Sequence, residues 1–229
     1  MKNDIINIGL PSKGRLKENT LKIFKSKKLN ITSERGERDL FGYIKKLPNT
    51  KIIYLHAREC IEQLSLGNID IGFSGYDLLR ESEFNIQKNI VIKKRLNFGH
   101  ATVVLAIADL WLDVQTLLDL DEVAEEFKKK KKRLLRVATK YPNLTRKFLY
   151  SKGVTQFQLV QSLGSTEVAP FTGTAEVISD ITSTGATLKA NNLRILKDGE
   201  ILKSQACLMI SKKNQKIKGL KRILSILSR

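Results

Sequence analysis

Cysteine, histidine, proline and tryptophan are all scarce in this chain. Its 229 residues hold two cysteines, two histidines, four prolines and one tryptophan. Cys60 and Cys207 stand far apart and form no CxxC pair. They read as two ordinary core thiols of a reducing compartment, not as a disulfide framework. With only His56 and His100 available, no tight set of zinc ligands is visible. No GxSxG elbow occurs, which argues against an α/β-hydrolase. No apolar run approaches the ~20 residues that span a bilayer. The N-terminus, MKNDIINIGL, carries an early acid and no long apolar segment, so no secretory signal is read there. A cytoplasmic protein without membrane contact is the expectation.

Acidic residues are also few. Lys and Arg number 41 against 23 Asp and Glu, giving a net charge of +18. Such an excess points to a polyanion or an anionic surface. Nucleic acid is one candidate, but the cations are spread along the chain. The one dense run, Lys128 to Arg133, follows Glu125, Glu126 and Phe127. Leu120, Val123, Ala124 and Phe127 recur at helical spacing, with acids early and bases late, as a helix dipole prefers. The run reads as the solvated end of an amphipathic helix. Aromatics make up 7% of the chain and do not interleave with it, so no stacking platform for single strands is indicated.

What is present is a globular composition, 41% hydrophobic and 28% charged, with alternating element signals. Strands are expected at Ile5–Leu10, Lys51–Leu55, Ile69–Phe73, Ile90–Leu96, Ala101–Ile107, Leu134–Thr139 and Phe157–Gln161. Helices are expected after Ser12, over Cys60–Leu66 with Gly67 as its stop, over Tyr76–Glu81, and over Asn143–Tyr150. The glycine- and hydroxyl-rich stretch from Glu167 to Leu188 is read as a helix opening at Gly173, either an ordinary helix with loops at both ends or a phosphate loop and its helix. Asp198-Gly199 signals a hairpin between Leu193–Leu196 and Ile201–Ile210. A last helix carries Ile217, Leu220, Leu224 and Leu227. Alternation of this kind implies an α/β fold with mixed, mostly parallel sheets in two lobes. Residues 1–96 and 189–229 would form a discontinuous lobe I, and residues 97–188 lobe II.

Ligands of such sheets sit beyond the C-terminal strand ends. The loops expected there are Pro11–Arg15, Ser74–Asp77, Lys140–Asn143 and Thr172–Ala175. Lys13 and Arg15 place two cations at a helix N-terminus, either for an anionic ligand that would favour the arrangement or as a solvent-exposed pair with no role. Asp70, Gly72, Ser74, Gly75 and Asp77 end a buried strand in a glycine turn that would let a ligand approach the backbone. Asp77 could equally cap the next helix, and Asp70 could be a strand-edge residue. Lys140 suits a phosphate and Tyr141 a base, in what could also be a plain turn. Gly173, Thr174 and Ala175 would offer unpaired backbone N–H groups to an anion. Thr184, Gly185 and Thr187 form a second hydroxyl-rich turn. Glu167, Glu176 and Asp180 are carboxylates that suit sugar hydroxyls or a hydrated metal. Arg35 and Arg38 are a phosphate clamp or surface charge. His100 reads as a packed, hydrogen-bonded side chain.

The blocks PSKGRL, DIGFSGYDL, FGHATVVLAI, ATKYPNLTRKF and ILKSQACL, together with Glu167 to Leu188, resemble in order the catalytic subunit of the ATP phosphoribosyltransferase family. The resemblance covers Ile8 to Lys212. It implies a two-lobed fold similar to type II periplasmic binding proteins, with the active site in the cleft. It implies attack of N1 of ATP on C1 of phosphoribosyl pyrophosphate, with Mg²⁺ held mainly by substrate. By the same likeness, Thr172–Thr187 would bind the phosphoribosyl moiety, while Lys13, Arg15, Arg35 and Gly72–Asp77 would line the nucleotide and pyrophosphate side. Glu176 stands where the family usually has aspartate, and the HARE segment, His56–Glu59, lacks an arginine pattern of many members. Little follows Lys212, so the chain resembles the short form without a C-terminal regulatory domain. Such forms work with a regulatory subunit similar to histidyl-tRNA synthetase, so a homodimer within a hetero-oligomer is expected. A solute-binding protein of the same fold and a nucleic-acid binder are the competing readings.

Overall fold

A computed structural model describes residues 5–33 and 40–228. They divide into two compact units, Met1–Gly99 with Gln205–Arg229, and His100–Ser204. Residues 189–204, expected in the first lobe, therefore lie in the second unit.

The first unit opens with strand β1 (Ile6–Pro11), helix α1 (Gly14–Ser26) and the short strands β2 (Ile31–Thr32) and β3 (Phe41–Ile44). It continues with β4 (Thr50–Leu55), α2 (Ala57–Leu66), β5 (Ile71–Gly75), α3 (Tyr76–Glu81), α4 (Phe84–Gln87) and β6 (Ile90–Arg95). β1 runs parallel to both β4 and β5. Its Ile6, Ile8 and Leu10 alternate onto one buried face, and Gly9 lies on the other, close against Cys60 and Ile69. One face packs α1 through Phe24, whose ring lies 5.6 Å from that of Phe73. The other packs α2 through Cys60, Ile61 and Leu64. α2 ends where expected, at Gly67 with φ +84°, a left-handed stop that suits glycine. The edge strands β2 and β3 carried too little alternation to be read from sequence.

The second unit holds β7 (Ala101–Ala108), α5 (Leu117–Lys131), β8 (Leu135–Thr139), α6 (Pro142–Ser151), β9 (Phe157–Gln161), β10 (Val177–Thr182), α7 (Ala186–Ala190) and β11 (Leu193–Ser204). Its sheet order is β11-β7-β10-β8-β9. β10 is central, antiparallel to β7 and parallel to β8. The expected helix from Gly173 is thus a strand. Val177, Ile178, Ile181 and Thr182 are β-branched, and the vacant centre of the sheet takes them. α5 fits its sequence reading, with Leu117, Leu120, Ala124 and Phe127 inward and a Thr116–Asp119 capping box.

The chain then returns to the first unit as β12 (Ala206–Ser211), between β5 and β6, and ends in α8 (Leu220–Ser228). No hairpin forms at Asp198-Gly199. That pair lies within β11, where the register with β7 shifts. A Cβ on Gly199 would lie 3.0 Å from the Leu105 carbonyl oxygen, so the backbones meet there too closely for a side chain. Asp198 instead accepts a 2.9 Å bond from the Leu117 N–H and caps α5.

Candidate active site

In the second unit the C-terminal ends of β8 and β10 lie side by side, with Ser179 opposite Thr139. Between them and α6 runs a chain of buried hydroxyls. Thr145 bonds to Ser179 at 2.8 Å and to the Tyr141 carbonyl at 2.7 Å. Thr139 accepts from the Tyr141 N–H at 2.8 Å. Buried hydroxyls satisfied in this way fix the geometry of the strand ends. Their hydroxyl spacing held no signal in the sequence. Past β10 the chain turns through Ser183, Thr184 and Gly185 into α7. Gly185 has φ +76°, a value that disfavours any side chain. Its N–H is held by the Thr182 hydroxyl at 2.9 Å, and the Ala186 N–H reaches the Thr184 hydroxyl at 3.3 Å. A Cβ on Gly185 would meet nothing within 4 Å. The surface over this turn is open, and Thr184 and Thr187 are exposed on it.

Asp180 is half-buried two residues before the end of β10, and accepts from the Ile181 N–H at 2.8 Å. Lys140 is half-buried just after β8. The structure therefore gathers Lys140, Asp180, Thr184, Gly185 and Thr187 at one sheet edge. Tyr141 is beside them in sequence, but it is 6% exposed and belongs to the core, not to a surface for a base. Asn143 does not cap α6; Tyr141 precedes that helix and Pro142 opens it.

Gly173, Thr174, Ala175 and Glu176 lie elsewhere. They precede β10, so about 20 Å of strand separates Glu176 from Thr182. The expected strand-end loop at Thr172–Ala175 is at the opposite edge. Ala175 is buried, with its N–H on the Ala169 carbonyl at 3.3 Å, and offers no anion site. Glu167 is half-buried on a short 3₁₀ turn, Thr166–Val168, on the segment leading to that edge.

Glu176 is occupied. Both its oxygens bind guanidinium groups, Arg136 at 2.6 Å and Arg133 at 3.0 and 3.1 Å, and the Arg136 N–H adds a 2.9 Å bond. Burial by itself would raise its pKa; the bonds from Arg136 and Arg133 outweigh burial and hold the carboxyl at about 2. Its extra methylene over aspartate spans this double clasp, and sugar hydroxyls find no free oxygen there. The sequence reading missed both arginines.

In the first unit Pro11, Leu55, Gly75 and Arg95 end strands β1, β4, β5 and β6 at one edge. Lys13 and Arg15 are exposed there at the start of α1. Lys13, not Ser12, precedes the helix, with no side-chain cap and no acid in the first turn. Two cations thus face the positive end of a helix dipole, which an anion would relieve. Gly75 and Asp77 share this edge. A Cβ on Gly75 would collide with an Asp77 carboxylate oxygen, so Asp77, 7% exposed, folds back over the turn. The Arg95 guanidinium lies 4.8 Å from the Tyr76 ring centre, a cation at this edge that was not read from sequence.

Three residues of the DIGFSGYD block have other work. Asp70 is at the opposite end of β5, 2% exposed, accepting from the Asn7 N–H at 2.6 Å and from Asn214 at 2.5 Å. Gly72 faces α2: a Cβ would lie 2.7 Å from the Cys60 sulfur and 2.8 Å from Leu64 Cδ1. It admits a helix, not a ligand. Ser74 is buried and donates to the Ala57 carbonyl at 2.7 Å. His56 caps α2, accepting from the Arg58 N–H at 3.4 Å. His100 is exposed, contrary to the packed side chain expected. Arg35 and Arg38 lie outside the described residues.

The arrangement can hold an anionic group at each of two strand-end edges, with a carboxylate and hydroxyls at one and cations at the other. The family model described as ATP phosphoribosyltransferase matches residues 56–229. A protein of that name from Nitrobacter winogradskyi is 49% identical over 205 residues, covering 90% of this chain and 63% of that protein. The chain thus spans less than two thirds of that relative. One from Mesorhizobium japonicum is 46% identical over 210 residues, with 91% and 90% covered. Among solved structures, the ATP phosphoribosyl transferase (HisG:HisZ) complex from Thermotoga maritima superposes with a TM-score of 0.73 at 26% identity, over 97% and 96% of the two chains. A histidine kinase sensor domain similar to periplasmic binding proteins matches with a TM-score of 0.55 at 13% identity, over 100% and 89%, which shows the fold alone. By the family model and these relatives, the chain belongs to the ATP phosphoribosyltransferase family.

Proposed function

We propose that the chain joins N1 of ATP to C1 of phosphoribosyl pyrophosphate, giving phosphoribosyl-ATP and pyrophosphate, the first step of histidine biosynthesis. The observation that carries this reading is the turn from Thr182 to Thr187. It sets the exposed Thr184 and Thr187 on either side of Gly185 over open surface, next to Asp180. A phosphoribosyl 5′-phosphate suits the turn, and Asp180 suits the ribose hydroxyls. Lys13 and Arg15, with Arg35, would neutralise polyphosphate charge. The C1–O bond breaks with its electrons on pyrophosphate as the N1–C1 bond forms. Cations placed on the leaving group favour that separation of charge. Holding both substrates in line could lower the barrier by about 7–11 kcal/mol.

Mg²⁺ is part of the proposal. Among the described residues no group of three or more His, Cys, Asp or Glu side chains could hold a metal ion. An ion carried on substrate oxygens and water would have Asp180 as the carboxylate beside it. When bound, the ion offsets charge on the departing pyrophosphate. A homodimer within a hetero-oligomer is also proposed, with a regulatory subunit similar to histidyl-tRNA synthetase. The solved relative from Thermotoga maritima is named as a HisG:HisZ complex, which supports a partner subunit. A cytoplasmic location accords with this chemistry, and no described helix is long and apolar enough to cross a membrane.

The test mixes the chain, the regulatory subunit, ATP, phosphoribosyl pyrophosphate and Mg²⁺. Pyrophosphate release with a new near-ultraviolet absorbance is expected, and Asp180→Asn should lower the rate at least tenfold. No turnover with the partner present would overturn the reading.

A further inference from the structure

Away from its own strand-end edge, the second unit carries an apolar groove that the proposed reaction does not use. It lies between the loop after β7 and the Val123, Phe127 and Lys131 side of α5, with a volume of about 460 Å³. Leu110, Trp111, Leu112, Val114, Val123 and Phe127 line it, with Asp113 and Lys131 also on its wall. Leu110 is 86% exposed and Leu112 74%. Neighbouring large apolar side chains left in water mark a contact surface.

The loop that presents them is held firmly. Arg194 donates to the carbonyls of Trp111 and Val114, both at 2.5 Å. Gln115 binds the Leu112 carbonyl at 2.7 Å, and Asp119 accepts from the Gln115 N–H at 2.8 Å. Leucines fixed outward on a braced loop lose little freedom when covered.

Charge identifies the occupant. The groove runs into the basic end of α5. There Lys129 and Lys130 pair with Glu125 and Glu126, and Arg133 pairs with Glu176. Lys128, Lys131 and Lys132 have no ion pair with another described residue. Lys131 lies 4.1 Å from the centre of the Phe127 ring, at the groove wall. A second copy of this chain would bring another net charge of +18 to the basic end. We propose that this groove docks an amphipathic helix of another protein, with leucine-like side chains in the groove and acidic residues against Lys128, Lys131 and Lys132. A helix laid by its apolar face in a groove, with its register set by charge, is a recurring recognition mode.

Trp111 is the protein's single tryptophan, so its emission reports on the groove directly. The probe is a synthetic helical peptide with leucines on one face and glutamates in its first two turns. Titrated into the full chain, it should give a saturable blue shift. Leu112→Glu and, separately, Lys128→Glu with Lys131→Glu should each weaken binding at least tenfold. The same peptide with lysine for glutamate should bind at least tenfold more weakly. Far-ultraviolet circular dichroism would show each variant folded. Absence of a saturable shift overturns the proposal. So does equal binding of the lysine peptide, or self-association through the groove seen by sedimentation and abolished by Leu112→Glu. Because no substrate is involved, failure here leaves the transferase reading untouched, and failure of the activity assay leaves this one standing.

Discussion

Glu176→Gln separates a structural carboxylate from a substrate-binding one. The carboxyl group bridges Arg133 and Arg136 and its side chain is 12% exposed. Its pKa falls from an ordinary 4.5 to about 2, which corresponds to about 3 kcal/mol of folding stability. The arginines keep 38% and 28% of their exposure, so solvent screening brings the figure nearer to about 2 kcal/mol. The folded pKa is depressed, so this stability is present in full above the unfolded value of 4.5. It drains away as pH falls through 4.5 towards 2. Urea unfolding followed by far-ultraviolet circular dichroism at pH 7 and at pH 3 measures it. At pH 7 the variant should be weaker by about 2 kcal/mol, and at pH 3 the gap should shrink to about 1 kcal/mol or less. The KM for phosphoribosyl pyrophosphate should stay within about twofold, because the residue sits about 20 Å along the strand from the turn. A gap that does not change with pH would refute the ion-pair reasoning. A tenfold rise in KM with unchanged stability would restore Glu176 to the ribose.

Gly185→Val should raise the KM for phosphoribosyl pyrophosphate at least tenfold while costing about 1–2 kcal/mol in stability, since a β-branched residue is strained at φ +76°; a wild-type KM would remove the turn from the site. Gly72→Ala should cost about 1–3 kcal/mol in urea unfolding, because its new methyl would meet Cys60 and Leu64; a neutral result would mean that α2 shifts freely. Burial pushes the Cys60 thiol up to about 12 and the Cys207 thiol up to about 11. A chromogenic disulfide reagent at pH 8 should therefore label neither in the native protein and both in guanidinium; rapid native labelling would contradict the packing of α2 on β5.

Most of the fold was legible because its signals are local. β1, β5 and β7 are short apolar runs bounded by polar or glycine residues. α2 has its stop glycine, and α5 has a capping box, an apolar stripe and graded charge. These agree with one another, as foldable sequences require. Asp198-Gly199 misled because a hairpin turn and a bulge that caps a neighbouring helix use the same residue types. What decides between them is Leu117, distant in sequence, whose N–H needs an acceptor. The ligand readings of Asp70 and Gly72 failed in the same way, while the strand-edge alternative for Asp70 holds. Their partners Asn7, Asn214, Cys60 and Leu64 come from other elements. No window around DIGFSGYD contains them.

The candidate site turned on one choice of period. From Glu176 to Asp180 is a step of four residues. On a helix that step stacks two carboxylates one turn apart, on one face, within reach of one sugar. On a strand the same step still shares a face, but it spans about 13 Å. Glycine and threonine around Gly173 favoured a helix start. Val177, Ile178, Ile181 and Thr182 favour a strand, and the sheet centre between β7 and β8 settles it. With the strand in place, the two carboxylates part company. Asp180 goes to the edge where the hydroxyls of Thr184 and Thr187 are exposed. Glu176 goes to the edge where Arg133 and Arg136 need a partner. Glu176 is thus the residue whose one carboxylate clasps two arginines, with no oxygen left for a sugar.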